Sequence, residues 1–313
     1  MRTITGHATG VQSLAISPDG KLLVSCPVSS RKGHGRSTAT DQLSITVWHV
    51  QTGDRVATLE GHAAPATWVT FSPGGELLAS SSLDCTIRLW SSASLTCVKV
   101  LGPIRAKVNC VAFSPNGTVI ASASTDKVIR LWDVKIGNCL ATLKESTGSV
   151  SFLTFSPDGN LAACVPAEEI SLWNVESNKQ TAVLKVFIGF GATLSFSSDG
   201  KLLASGACDA YVRVWDVRDI RLPLARLRGH TGYVYTVVFS PDGKWLASCS
   251  EDRTIRLWRV DQRRVSLYSV LGSSATLDVA GVDVTKAQIG AESRMFRFED
   301  PIWDPVIRDP NTE

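Results

Sequence analysis

One phrase recurs along the chain. It stands as SPGGELLASSSLDCTIRLW from Ser72 to Trp90, SPNGTVIASASTDKVIRLW from Ser114 to Trp132 and SPDGKWLASCSEDRTIRLW from Ser240 to Trp258. Thinner copies are SPDGNLAACVPAEEISLW (Ser156 to Trp173) and SSDGKLLASGACDAYVRVW (Ser197 to Trp215). A first copy starts SPDGKLLVSC at Ser17 and reaches its tryptophan only at Trp48. The tryptophans 48, 90, 132, 173, 215 and 258 are therefore spaced by 42, 42, 41, 42 and 43 residues. A period of that size describes an architecture first, and function has to be sought where the copies differ.

Within one copy four strands are legible. In the sixth they read VYTVVF, KWLASCS, TIRLWRV and RVSLYSV, divided by the turns Ser240-Pro241-Asp242-Gly243 and Glu251-Asp252-Arg253. Proline presets φ, aspartate tolerates the turn and glycine takes the left-handed position. Strands this apolar on both faces need cover on both sides, and a ring of stacked sheets supplies it to every copy. Helical periodicity is absent, so the expected fold is an all-β propeller.

Phe296-Arg297-Phe298-Glu299-Asp300 reads like IRLWD with the tryptophan replaced, and Glu299 falls 41 residues after Trp258. Residues 275–300 are therefore read as a seventh, degenerate blade without its fourth strand. Residues 2–5 are expected to fill that place, because RTITGH matches the ATLEGH ahead of the second copy. Pairing the two chain ends in one blade leaves no free edge. The alternative is six blades and a tail. Either way residues 1–300 are expected to form a single domain, with 301–313 a flexible tail.

Composition excludes several classes of function. Of 313 residues, 44% are hydrophobic and 19% charged, as in an ordered globular chain. A net charge of +3 gives no phosphate-binding surface, so no nucleic-acid partner is expected. No apolar run reaches the roughly 18 residues of a membrane span, and MRTITGH is too polar for a secretory signal. The eight cysteines form no CxxC pair and are read as reduced core residues, which points to the cytoplasm, with the nucleus as the alternative. The glycosylation sequon at Asn116 lies in a turn of a chain read as unsecreted. There is no GxxxxGK[ST], HExxH or GxSxG, and His34 and His49 stand alone. Neither enzyme activity nor a metal or cofactor is expected.

The order Gly-His, Ser-Pro-Asp-Gly, Ser, Asp and Trp followed by Asp resembles the WD-repeat β-propellers over residues 1–300. That resemblance implies a buried four-residue network in each complete blade: His62, Ser80, Asp84 and Trp90 in the second copy, His230, Ser248, Asp252 and Trp258 in the sixth. A buried indole N–H needs an acceptor, a hydroxyl provides one, and histidine links the hydroxyl to a carboxylate. Such residues look catalytic singly, but their recurrence in register marks them as structural. The third copy keeps Ser122, Asp126 and Trp132 with Gly102-Pro103 where Gly-His would stand. The fifth keeps Ser205, Asp209 and Trp215 without histidine. The fourth keeps Trp173, with Glu168 and Glu169 out of register, and the first has His7, Ser25 and Trp48.

The resemblance further implies a rigid monomeric platform within a larger complex, which binds proteins or peptides on the face of the Gly-His loops and at the central opening. By register this face carries Gln12, Thr67, Lys107, Asn109, Ser149, Ser151, Phe190, Ala192, Tyr233 and Tyr235, with Leu83, Thr125, Cys208 and Glu251 ahead of the aspartates. Phe190, Tyr233 and Tyr235 form an aromatic group suited to a binding hot spot. A 13-residue insertion in the first copy, within PVSSRKGHGRSTATD, adds Arg31, Lys32, His34 and Arg36 to the same face, and fits an acidic partner segment or a phosphorylation site. Trp215-Asp216-Val217-Arg218 and Trp132-Asp133-Val134-Lys135 resemble the WD-x-R motif of substrate receptors of cullin-RING ubiquitin ligases. A detached relative of the sensor propellers of signalling ATPases is a further alternative.

Overall fold

A computed structural model describes residues 10–28, 44–144, 148–165, 169–185, 193–261 and 264–272. They form six four-stranded antiparallel sheets, each a meander in chain order. Blade 1 comprises Val11–Ile16, Leu22–Pro27, Ile45–His49 and Arg55–Leu59, and blade 2 Ala66–Phe71, Leu77–Ser82, Ile87–Ser91 and Cys97–Leu101. Blade 3 comprises Val108–Phe113, Val119–Ser124, Val128–Asp133 and Cys139–Lys144, and blade 4 Phe152–Phe155, Leu161–Val165, Glu169–Asn174 and Lys179–Lys185. Blade 5 comprises Leu194–Phe196, Leu202–Ser205, Val212–Asp216 and Ala225–Leu227, and blade 6 Val234–Phe239, Trp245–Ser250, Thr254–Asp261 and Arg264–Gly272. The all-β propeller architecture is thus present, with no helix among the described residues. Residues 2–5 and 275–300, read as the two parts of a seventh blade, lie outside the described residues, as do 301–313.

Side chains hold the turns of the described repeats. In blade 6 the Ser240 hydroxyl donates to Asp242 Oδ1 at 2.5 Å and accepts from Trp245 N–H at 3.0 Å, while Gly243 sits at φ +69°. That left-handed position costs glycine nothing. At the second turn the aspartate accepts from the backbone two residues on: Thr86 to Asp84 at 2.9 Å, Val128 to Asp126 at 3.2 Å, Tyr211 to Asp209 at 3.2 Å and Thr254 to Asp252 at 2.9 Å. This bridge stabilises a left-handed residue that is not glycine, at Cys85, Lys127, Ala210 and Arg253, with φ of 68°, 66°, 65° and 65°.

The core lies between sheets rather than within one. Ala79, Ile87 and Leu89 of blade 2 pack with Val108, Val111, Ile120 and Trp132 of blade 3, and the same alternation recurs around the molecule. First strands line the axis, and each packs against the next from blade 1 to blade 6. Among the described residues no comparable contact joins blade 6 to blade 1. Side chains of one first strand also grip the main chain of the next. Val69 N–H donates to Ser13 Oγ at 3.3 Å, Thr67 Oγ1 to Val108 O at 2.7 Å and Asn109 Nδ2 to Val150 O at 2.7 Å. Val237 N–H donates to Thr193 Oγ1 at 3.0 Å and Phe239 N–H to Ser195 Oγ at 3.1 Å.

Candidate functional site

In two of the described blades a side-chain network pins the loop that enters the first strand. In blade 2 the Trp90 indole donates to Ser80 Oγ at 2.9 Å, His62 Nε2 lies 2.8 Å from that oxygen, and His62 Nδ1 lies 2.8 Å from Asp84 Oδ2. In blade 6 Trp258, Ser248, His230 and Asp252 repeat those distances as 2.9, 2.8 and 2.8 Å. Each aspartate also accepts the backbone N–H after the histidine, from Ala63 at 3.0 Å and Thr231 at 3.1 Å, and the hydroxyl of Thr86 or Thr254 at 2.7 Å. Burial alone would raise these two carboxyls, yet the converging donors hold both well below the ordinary carboxylate range. Burial pushes His230 down against the pull of Asp252.

Blades 3 and 5 depart from that arrangement, which corrects the reading of their aspartates as network members. Trp132 still donates to Ser122 Oγ at 2.9 Å, but Asp126 is bound by Arg130, through Nη2 at 2.6 Å and Nη1 at 3.2 Å. In blade 5 both Nη atoms of Arg213 donate to Asp209, and Ser205 Oγ is buried without a partner. The cause is a missing bridge. Counting from the last buried leucine of the preceding sheet, Leu59, Leu101 and Leu227, the residue three on is His62, Ile104 and His230, and four further lies Ala66, Val108 and Val234. Ile104, not Pro103, occupies the histidine position, where it is 3% exposed and packs in the cluster of Trp132. An apolar side chain cannot join hydroxyl to carboxylate, so the arginine takes the aspartate.

Blade 4 solves the indole differently. Its registered position holds Ala163, which pairs with Ser171 of the facing strand, and Trp173 donates to Ser171 Oγ at 3.0 Å. The acceptor has crossed to the neighbouring strand, a residue the sequence reading missed. In blade 1 Trp48 donates to Ser25 Oγ at 2.8 Å, while His7 lies outside the described residues. Glu169 opens the third strand of blade 4 and is buried, and Glu168 lies outside the described residues.

The candidate partner residues fall into two groups. Gln12, Thr67, Asn109 and Tyr235 each occupy a bulge in the first strand, where the ladder skips one residue. A bulge re-aims its side chain, and at two of these sites the target is the next blade: Thr67 and Asn109 serve as the grips described above, not as open contacts. Gln12 and Tyr235 are half-buried. The second group stands one step outward. Lys107 and Glu251 are exposed and Tyr233 is half-buried, while Thr125 N–H donates to Lys107 O at 3.0 Å and Glu251 N–H to Tyr233 O at 2.9 Å. Phe190, Arg31, Lys32 and Arg36 lie outside the described residues.

Trp68 of blade 2 and Phe152 of blade 4 meet edge to face with ring centroids 5.1 Å apart, and both pack against the buried cluster that contains Cys110, Leu153 and Leu161. A ring contact thus joins two blades that are not neighbours in the chain. Of the WD-x-R positions, Arg218 and Lys135 are exposed. No group of three histidine, cysteine, aspartate or glutamate residues suited to a metal occurs among the described residues.

Comparison with known proteins follows the same geometry. The family model for WD domain, G-beta repeat, matches residues 1–35, 53–91, 95–133, 137–168, 188–216 and 221–259. The chain is 33% identical over 97 residues to Eukaryotic translation initiation factor 3 subunit I of Coccidioides immitis, covering 31% of this chain and 25% of that protein. It is 31% identical over 98 residues to COMPASS component SWD3 of Saccharomyces cerevisiae, covering 31% and 27%. It is 35% identical over 91 residues to Periodic tryptophan protein 2 of the same yeast, covering 29% and 9%. The matched stretches thus span between 9% and 27% of these relatives.

Proposed function

The chain belongs to the WD domain, G-beta repeat family, and from that premise we propose that it is a non-catalytic platform holding a protein or peptide partner on the face of the loops that enter the first strands. One observation carries this reading: Lys107, Tyr233 and Glu251 present their side chains from backbone that is already hydrogen-bonded. Groups so fixed lose little further freedom when a partner binds. Phe190, Tyr235, Arg31, Lys32 and Arg36 extend the proposed contact set. Two relatives are named as a subunit and as a component, which supports a partner of protein nature. The compartment proposed is the cytoplasm or nucleus, in keeping with free thiols at the described cysteines.

The test is affinity capture from cell extract with the parent chain and Tyr233→Ala/Lys107→Ala. Loss of the parent's specific partners is expected; identical capture by both overturns the assignment of this face. The same proposal includes closure of the ring by residues 275–300 and 2–5, supported by the absence, among the described residues, of any contact between blades 6 and 1 comparable to those joining successive blades. Deleting residues 1–5 is expected to lower the unfolding temperature, and an unchanged value refutes the closure.

A further inference from the structure

The outer top corner of blade 5 carries a charge arrangement unlike that of the other described blades. The third-strand arginine faces Val100 in blade 2 from Arg88, Thr142 in blade 3 from Arg130, and Val270 in blade 6 from Arg256. In blade 5 it is Arg213 and faces Arg226. Two residues on, just past the end of that strand, stands Arg228, and both Arg226 and Arg228 are exposed. Like charges directly opposite one another destabilise a sheet, so this corner is unfavourable unless an anion offsets it.

Only part of that charge is offset within the chain. Asp209 is bound by both Nη atoms of Arg213, which is itself only 9% exposed, so this carboxylate is engaged below the surface. Tyr211, where blades 2, 3 and 6 have Thr86, Val128 and Thr254, places its ring 5.6 Å from the Arg213 guanidinium carbon and 5.5 Å from that of Arg228. An aromatic contact orients a guanidinium without using its N–H donors. Among the described residues neither Arg226 nor Arg228 forms an ion pair. Two exposed positive charges thus stand two residues apart, Arg226 opposite Arg213 and Arg228 beside the Tyr211 ring.

We propose that Arg226, opposite Arg213, and Arg228, beside Tyr211, form a binding site for a phosphorylated side chain of a partner peptide. A phosphate monoester brings close to two negative charges and three acceptor oxygens, which match two guanidiniums; a carboxylate would balance one. A membrane or nucleic-acid surface is served by a broad positive field, and the net charge of +3 supplies none. The site lies at the outer end of the loop that leads inward to Tyr233, so it is separate from the platform face proposed above.

Fluorescence anisotropy on the full chain tests this with a labelled nine-residue Gly/Ala peptide bearing one central phosphoserine, and with its glutamate and serine versions. The phosphoserine peptide is expected to bind at least about tenfold more tightly than the glutamate version, and inorganic phosphate at matched ionic strength is expected to displace it. Arg226→Gln/Arg228→Gln is expected to lose at least about tenfold in affinity while unfolding no earlier than the parent without ligand, because the facing charges are relieved. Tyr211→Leu is expected to weaken binding by about threefold. Lys244→Gln and Tyr233→Ala are expected to bind as the parent does, which keeps this test separate from that of the platform face. Equal binding of phosphoserine and serine peptides overturns the proposal, as does a double variant that binds like Lys244→Gln. Capture of phosphatidylserine vesicles without capture of the phosphopeptide overturns it too, by reassigning the pair to a lipid surface.

Discussion

Blades 2 and 6 and blades 3 and 5 hold the same two residues at the same two places and use them in opposite ways. Each has an aspartate in its second turn and an arginine on its third strand. Where a histidine is present, the aspartate binds it and the loop behind it, and the arginine withdraws: the Nε atoms of Arg88 and Arg256 are buried without a partner. A Cβ on Gly61 or Gly229 would lie 2.8 or 2.5 Å from Nη1 of that arginine, so the glycine before the histidine makes room for it. Where the histidine is absent, the arginine closes on the aspartate instead. One imidazole therefore decides whether a blade's carboxylate pins a surface loop or neutralises a strand.

The largest effect is expected from Asp252→Ala. It strips acceptors from His230, the Thr231 N–H and the Thr254 hydroxyl together, and should cost about 3 kcal/mol in urea unfolding. A loss below about 1 kcal/mol would mean that the network holds less than its geometry suggests. His230→Ile, which rewrites blade 6 in the manner of Ile104, should cost about 2 kcal/mol and also flatten the response to acid. The folded state disfavours protonating His230, so the unfolded chain takes up its proton first as pH falls through the ordinary value of 6.5, and stability drops. Asp252, held low, keeps its contribution above the ordinary value of 3.8 and loses it only below. The parent should therefore weaken in two stages, and the variant should lack part of the first; an unchanged slope between about pH 7 and 5 would remove His230 from this account.

Smaller effects sharpen the contrast. Ser171→Ala should cost about 1 kcal/mol by leaving the Trp173 indole without its acceptor, although nothing in the repeated phrase marks this serine. Asp126→Ala should cost about 1 kcal/mol or less, since Arg130 and Asp126 remain 18% and 27% exposed. If its loss equals that of Asp252→Ala, the two kinds of blade are energetically alike and the distinction fails.

What could be read in advance follows from what repeats. Trp48 to Trp258 set the sheets, and the Ser-Pro-Asp-Gly turns set the hairpins, because both depend on neighbours a few residues away. Asp126 and Asp209 were misread because a carboxylate's partner is chosen in space: Arg130 and Arg213 lie four residues on, brought round by the turn. Ile104 was hidden by the dipeptide Gly102-Pro103, which mimics Gly-His one step early. Ser171 could not be found by aligning copies, since it substitutes for a residue on another strand. Thr67 and Asn109 lay in the right place on the right face, but a bulge that no spacing announces turned their side chains toward the next sheet.

Those turned side chains have a direction. In these five links the earlier sheet contributes the side chain and the later one a peptide atom: Ser13 to Val69, Thr67 to Val108, Asn109 to Val150, Thr193 to Val237 and Ser195 to Phe239, with Asn109 also reaching the Ser149 hydroxyl at 3.4 Å. Peptide atoms are the same whatever residue bears them, so a follower can drift in sequence and still be caught. The fourth repeat, worn down to little beyond its tryptophan, is caught in this way by Asn109. Harm done to a joint should therefore be inherited from upstream, by the repeat that reaches rather than the repeat that is reached.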